Sequence, residues 1–488
     1  MLLRNHRRTD RQRGQAIILF VVAMGIFLIG ALGLAIDGSQ LYAHRQMLQA
    51  AVDSAAEAAI MSVFDKTNTG ANAFGGSSFT CTTTDVRTPC YFARQNGAGA
   101  TSADQVDVDF PGSASGVSLS PTDTPNLVRV TVTRTVSTGL IRFIGPSLST
   151  IRAAATAAIV DVVSPTPILI LHPTLAGALS MNGNPTVQIC GGPRRSMQIN
   201  SNSAATISIS GGPTIDLSRA GPLDPGNCTT GTGGEFGAFG GPATRPAAIN
   251  VGVAGKYIQP SSPILDPLAT GPAPAVPAAA PAPIALANGV SGCPASPGKP
   301  CKLYSPGLYS TGILVKNETA VLKPGIYYIQ SNGFTSAANG DLYMSTGFPN
   351  DPVTGQGILV YITGNNASDI LSVGANGSVF LTGTPSSSIY KGILFFADHN
   401  SLVLKQHSLG GNGSMSLVGT IYLSNTLART TATPAIYQSL SLQGTPGNST
   451  FIAGQVVVDA LNLGGNAGIT MTLNPNGTLH IRQVALVN

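Results

Sequence analysis

The chain has 488 residues, with 58 glycines, 34 prolines, no tryptophan and only 10% charged residues, against roughly 25% charge in an average soluble domain. Its 43% hydrophobic content supplies enough apolar material for a sizeable core, which excludes wholesale disorder. Most of the formal net charge of +5 belongs to residues 1–15, where Arg4, Arg7, Arg8, Arg11 and Arg13 face Asp10 alone, so the nearly neutral body offers no counterion-releasing surface for nucleic acid.

The stretch Ala16 to Ile36 carries no charge over 21 residues, enough at about 1.5 Å per residue to span roughly 30 Å of hydrocarbon. This predicts an Arg-rich cytoplasmic tail over 1–15 and a transmembrane helix over 16–36. A cleaved secretory signal is the alternative, because Gly33-Leu34-Ala35 resembles a small-x-small cleavage site. Against it, the run is longer than a signal's apolar region and continues directly into helix-forming sequence. Arginines before the span place the N-terminus in the cytoplasm and the bulk of the chain across the membrane. Beyond it, Leu34, Leu41, Leu48 and Ala55 recur every seven residues, with Val52 and Ala59 beside them. An extended juxtamembrane helix over 37–63 is therefore expected to dock its apolar seam on the chain's own next domain. Asp37 falls where the hydrocarbon ends and is expected to act as an interfacial charge that sets the helix depth.

Arg13-Gly14-Gln15, the apolar span and the stretch Ala35 to Ile60 together resemble the N-terminal segment of the TadE/TadG-like proteins of the Flp (tight adherence) pilus assembly system. The family pattern falls on Asp37, Leu41, Tyr42, Arg45, Leu48, Gln49 and Asp53. Processed pilins carry a glutamate five residues after the cleaved glycine, and here that place is Leu19, so the resemblance implies an unprocessed, TadG-like anchor. It also implies partners: the inner-membrane bilayer and other Tad/Flp pilus assembly proteins. Val128 to Ile159 resembles the strand pair that follows the anchor in TadG-like proteins, and Lys391 to Leu423 resembles their C-terminal part.

Over 64–163 the sequence turns to short alternating runs, Val106 to Val108, Leu127 to Thr133 and Ile151 to Val163, which read as half-buried strands of a small α/β module. Some TadG-like chains continue into a von Willebrand-type metal-dependent domain, whose first strand ends in Asp-x-Ser-x-Ser. Here Ile168 to Leu171 is followed by His172-Pro173-Thr174, with no carboxylate to hold a divalent cation.

Residues 164–488 repeat. Pro306-Gly307-Leu308-Tyr309 returns as Pro324-Gly325-Ile326-Tyr327, eighteen residues on. An apolar-x-x-Asn motif marks Met181/Asn184, Val373/Asn376, Leu409/Asn412 and Leu463/Asn466, with Leu442/Thr445 degenerate; the spacings 36, 33 and 21 sum to five steps of eighteen. Glycines at 357, 392, 419 and 454 open β-prone runs. Short strands closed by Gly or Asn at such a period predict a mainly-β C-terminal domain built as a parallel β-helix, with a β-sandwich as the alternative. Within it, Pro260 to Pro300 holds 11 of the 34 prolines and reads as an extended, polyproline-like excursion over the surface, 260–300, rather than a partner-docking strip.

Six cysteines, Cys81, Cys90, Cys190, Cys228, Cys293 and Cys301, lie beyond the span. An even number in that compartment points to disulfides, and pairing of sequential neighbours is the expected choice among fifteen connectivities. None forms CxxC with histidine partners, so no metal site or cofactor is expected. No hydrolase, Walker or dinucleotide fingerprint occurs either. The densest polar cluster is Lys391, Asp398, His399, Lys405 and His407, which would serve a carbohydrate-active enzyme only if stacked coils brought them together; paired carboxylates are missing. The expected function is thus non-enzymatic: a membrane-anchored, TadG-like periplasmic protein of pilus assembly or cell-envelope adhesion. A β-helix carbohydrate-active enzyme or a glycan-binding adhesin, with a glycan surface as partner, is the alternative.

Overall fold

The computed structural model describes residues 6–487 apart from 115–116, 118, 120–122, 144, 164–165, 223–227, 270, 297, 375, 385–389, 431–432, 445–448, 467 and 474–479. The tail's arginines lie outside that description, Arg4 altogether and Arg7, Arg8, Arg11 and Arg13 in their side chains, as does Thr445. The chain folds as two compact units, Met1–Val162 with Arg482–Asn488, and Val163–Ile481.

In the first unit one helix, α1, runs unbroken over His6–Phe64. No proline or helix-ending glycine interrupts it, and its mid-helix composition is rich in alanine and leucine, the strongest helix formers. It lies on an antiparallel sheet of Phe79–Thr80, Asp104–Asp109, Leu127–Ser137 and Leu148–Val163. The predicted seam is the contact: Leu48, Val52, Ala55, Ala59 and Ile60 are buried against Val106, Val108, Val130, Val132, Ala153 and Ala155. Alanines on both sides let helix and sheet approach closely, and period-two alternation puts the valines on the covered face. A short helix, α2 (Thr88–Gln95), starts with Pro89 in its first turn, where the missing N–H costs nothing. The sheet has a fifth strand that the expected boundaries do not contain. His480–Val487 joins beside Leu148–Val163, so the C-terminus belongs to this unit rather than to the repeating one. Its alternating pattern suits any open sheet edge, and sequence alone does not say which.

The second unit is mainly β, with three large sheets of 11, 10 and 8 strands, termed here I, II and III. Successive strands visit III, I and II in turn. Ile313–Lys316 lies in III, Thr319–Leu322 in I and Gly325–Ile329 in II, and Phe334–Ala337 then returns to III, parallel to Ile313–Lys316. Pairing is parallel throughout these sheets except where Ile284–Leu286 meets Cys301–Tyr304. This is consistent with a β-helix-like fold and differs from the antiparallel hairpins of the sandwich alternative. Inward side chains of all three sheets form one apolar core, from Ile168 and Met197 through Leu322 to Phe395 and Met471.

The repeat period is not eighteen. In sheet III, Val373 pairs with Leu409, Leu409 with Leu442, Leu442 with Leu463 and Leu463 with Met181. The spacings of 36, 33 and 21 are therefore one coil each, and the apolar-x-x-Asn motif marks a single stacked column. The Asn412 side chain donates to Asn376 Oδ1 at 2.9 Å one coil away. Likewise Gly307 pairs with Tyr327, not Gly325. Coil lengths differ because corner loops absorb insertions, whereas core width fixes the inward positions. At one corner Gly183 has φ 85°, and a Cβ there would lie 2.6 Å from the Gly465 carbonyl oxygen, so only glycine fits between the coils.

Stacking order does not follow chain order. Ile168–Ile170 sits between Arg195–Ile199 and Val456–Val458, and Leu179–Gly183 lies beside Ala460–Gly465. The chain thus enters mid-stack and winds outward to Tyr257–Ile258. It re-enters at the far end with Cys301–Tyr304 and winds back to meet its own beginning. The proline-rich excursion is the return strap between the two ends. Ile264 and Leu268 cover an outward apolar layer of sheet II made of Leu169, Leu359, Tyr361, Phe396, Tyr422 and Val457. Asn200 brackets the strap by donating to Ile264 O at 2.6 Å and accepting from Ile264 N at 3.0 Å. Further on, Leu308 N donates to Ala278 O and Ala280 N to Leu308 O, so the strap closes the open edge of that end.

Candidate functional site

Along α1 the apolar surface changes character. Every large hydrophobic residue from Ile17 to Ile36 is exposed, Leu19 at 71% and Leu34 at 67%, whereas Leu48 is 1% exposed. A stretch this long, apolar and free of charge meets the length and composition of a bilayer span. The same helix then enters the protein core without a break, which is the geometry of an anchor joined to a folded body.

Asp37 stands at the junction, and it is a clamp rather than a solitary interfacial charge. Its carboxylate accepts backbone hydrogen bonds from Gly139 N at 3.1 Å, Leu140 N at 2.9 Å and Ile141 N at 2.6 Å. One turn earlier, Gly33 leaves room for Leu140, whose Cβ would lie 3.2 Å from any Cβ added there. The loop between the two long strands is thereby fastened to the helix where the hydrocarbon would end. Three convergent N–H donors supply the charge-assisted bonds that make burying a carboxylate tolerable.

The other motif positions divide by role. Leu41 is partly buried and Leu48 fully so in the helix–sheet core. Gln49 donates to Asp53 Oδ1 at 2.8 Å and to the Ala154 carbonyl at 3.2 Å, tying helix to sheet. Tyr42 and Arg45 are exposed, bordering a shallow groove with Ser149 to Arg152.

The cysteines pair as sequential neighbours: Cys81 with Cys90, Cys190 with Cys228, and Cys293 with Cys301. Asp85 lies close to Cys81 and Cys90, but those sulfurs are bonded to each other and leave no thiolate for a metal. His172, after the strand Ile168–Ile170, is buried, accepts from Thr174 N and Leu175 N, and faces the Pro434 carbonyl at 2.8 Å. Burial lowers its pKa.

The polar cluster of the second unit does not gather around a cleft; of its members only His407 borders the groove on sheet III. Lys405 is buried with Nζ donating to the Gly364 carbonyl at 3.0 Å, and desolvation lowers its pKa. Both ring nitrogens of His407 are committed, to Leu371 N at 2.9 Å and Gln438 Oε1 at 2.8 Å, and burial pushes its pKa down to about 3. Asp398 accepts from Asn400 N, His399 is buried, and Lys391 is half-buried. Lys405, His407 and Asp398 thus spend their polar atoms on contacts within and between coils.

Two features escape sequence reasoning. Asp459 is fully buried and accepts from Ser424 Oγ at 2.6 Å, Asn425 N at 2.7 Å and Gln438 N at 2.8 Å; desolvation pushes its pKa up to about 7 despite Arg429 at 3.7 Å. Arg429 also meets Asp266 of the strap at 2.9 Å, and Tyr422 donates to the same carboxylate. A lone aspartate inside Val-Val-Val-Asp-Ala-Leu was the available signal. The second feature is a polar groove of about 730 Å³ on the outer face of sheet III, foreshadowed only by alternating serine and leucine.

Fold and junction together define a membrane-anchoring N-terminal helix clamped to its own sheet, ahead of a mainly-β body of large parallel sheets. Residues 14–62 match the model of the family described as putative Flp pilus-assembly TadE/G-like. The N-terminal segment of this chain is thus TadE/G-like. No curated protein and no solved structure gives a significant match to the chain.

Proposed function

We propose that this chain is a non-enzymatic, TadG-like envelope protein held in the bacterial inner membrane by residues 16–36. Its N-terminus is cytoplasmic and its body, a parallel β-helix behind a small α/β module, lies in the periplasm. Its role is in Flp/Tad pilus assembly, alongside other proteins of that system, with cell-envelope adhesion as the second outlet. The carrying observation is the single helix that is greasy and uncovered to Ile36, clamped at Asp37 and buried from Leu48 onward, inside the TadE/G-like segment. The arginines before the span support the orientation, and three cystines suit an oxidising compartment. The internal commitments of Lys405 and His407 support a structural rather than catalytic use of that cluster.

The test is topological and genetic. Alkaline-washed membranes should retain the full-length chain, and protease added to spheroplasts should degrade the body while the N-terminal tail is spared. A body protected in spheroplasts, or a soluble product trimmed near Ala35, overturns the reading. Deleting the protein should abolish pili; normal pili with lost surface attachment would move the role to adhesion.

A further inference from the structure

We propose that the outer face of sheet III is a binding groove for a neutral polysaccharide, assembled across the seam where the two arms of the second unit meet. It goes beyond the anchoring role and does not rest on it. The groove is lined from Leu179–Gly183 of the first arm and from Lys405–Gly411, Gln438–Gly444 and Ala460–Gly465 of the second. Neither arm alone forms it.

Its chemistry follows from the register. Leucines at alternate positions point into the core, so hydroxyl and amide side chains occupy the outward positions. Parallel pairing then stacks Ser372, Ser408, Ser441, Asn462 and Ser180 in one column, repeating at about 4.8 Å per coil over roughly 20 Å. In the neighbouring column Gly410, Gln443 and Gly464 alternate, and the two glycines leave depth beside the amide. Ser372 and Ser408 share one hydrogen bond at 3.1 Å, and Gln443 donates to Ser441 at 2.9 Å. Ser180, Asn182, Gln406 and Asn462 make no side-chain hydrogen bond among the described residues and face the groove with their donors and acceptors free.

Among the described residues no Lys, Arg, Asp or Glu lines the groove. A phosphate or uronate polymer finds no counter-charge there, and an acyl chain finds no continuous apolar floor. A neutral, polyhydroxylated chain both donates and accepts at short intervals, which is what a lattice of hydroxyls and amides answers. The groove runs along the stack across successive coils, so it takes several sugar units of an extended chain.

The full-length protein in detergent, run through native gels cast with dextran, laminarin or galactomannan, should be retarded by at least one of these neutral polymers and not by heparin. Ser441→Trp fills the groove and should weaken retardation about tenfold or more, while Thr470→Trp, outward on sheet I, should leave it unchanged. Because added bulk could disturb the coils, the paired truncations Asn462→Ala and Gln406→Ala give a second reading and should also weaken it. Retardation by none of the three neutral polymers, wild-type retardation of both Ser441→Trp and the truncations, or stronger retardation by heparin overturns the proposal. Membrane fractionation of the same variants reads anchoring separately: lost retardation with retained membrane association leaves the anchor reading intact.

Discussion

Two buried ionisable groups show how single residues act here, one as a clamp and one as a neutral strut. Asp37 concentrates three backbone donors on one carboxylate. Replacing it with alanine leaves those N–H groups without their carboxylate and should lower the unfolding midpoint of the first unit, with Asp37→Asn milder because one acceptor survives. Urea unfolding of the full chain in detergent measures this, and an unchanged midpoint for Asp37→Ala would mean that water replaces the carboxylate. His407 works in the opposite sense, since its pKa falls to about 3 in the fold from about 6.5 in the unfolded chain. Between those values the unfolded state binds a proton that the native state does not, so this histidine's contribution is present above about pH 6.5 and is lost as the pH falls towards 3. The stability advantage of wild type over His407→Gln should therefore shrink by up to about 1.4 kcal/mol per pH unit below 6.5. Asp459, with its carboxyl pushed up to about 7, slopes the other way over part of that range. Only the difference between the two proteins isolates His407, and a difference independent of pH would show that His407 titrates normally in the fold.

Among the elements, the strap has the most consequence. It is extended, proline-rich and largely without regular structure, yet Leu268 and Ile264 complete an apolar layer and Asp266 meets Arg429 and Tyr422. Its composition already implied an extended run over a surface; its sequence does not reveal that the surface is its own sheet II. Val276 is 64% exposed, so a protease site inserted there should be cut in the native protein. The fragments should stay together on gel filtration without denaturant, because no disulfide crosses the cut while Val456–Val458 pairs with Ile168–Ile170 across the seam. Fragments that separate would mean that the strap, and not strand pairing, holds the arms in register. The anchor helix was far more legible: heptad-spaced Leu41, Leu48 and Ala55 announced a docking seam, because a helix repeats one face every three to four residues wherever it lies.

For the molecule as a whole, sequence by itself determined the local and periodic properties. A greasy run of bilayer length, five tail arginines, alternating strands and recurring Gly and Asn corners fix an anchor helix ahead of a mainly-β body, since each follows from burial or backbone geometry within a few residues. The stacked column of Val373, Leu409, Leu442, Leu463 and Met181 is visible as a motif, but its coils are of unequal length and do not follow the eighteen-residue period that the spacings suggest, because loop length is unconstrained by the core. Only the tertiary structure decided which edges meet: the return of His480–Val487 to the first sheet, the mid-stack entry of the second unit, the donors gathered on Asp37, and the polar groove across the seam. Strand pairing uses the backbone, which every residue shares, so a β-sequence records which face is buried and leaves the choice of neighbour to the packing of the whole chain.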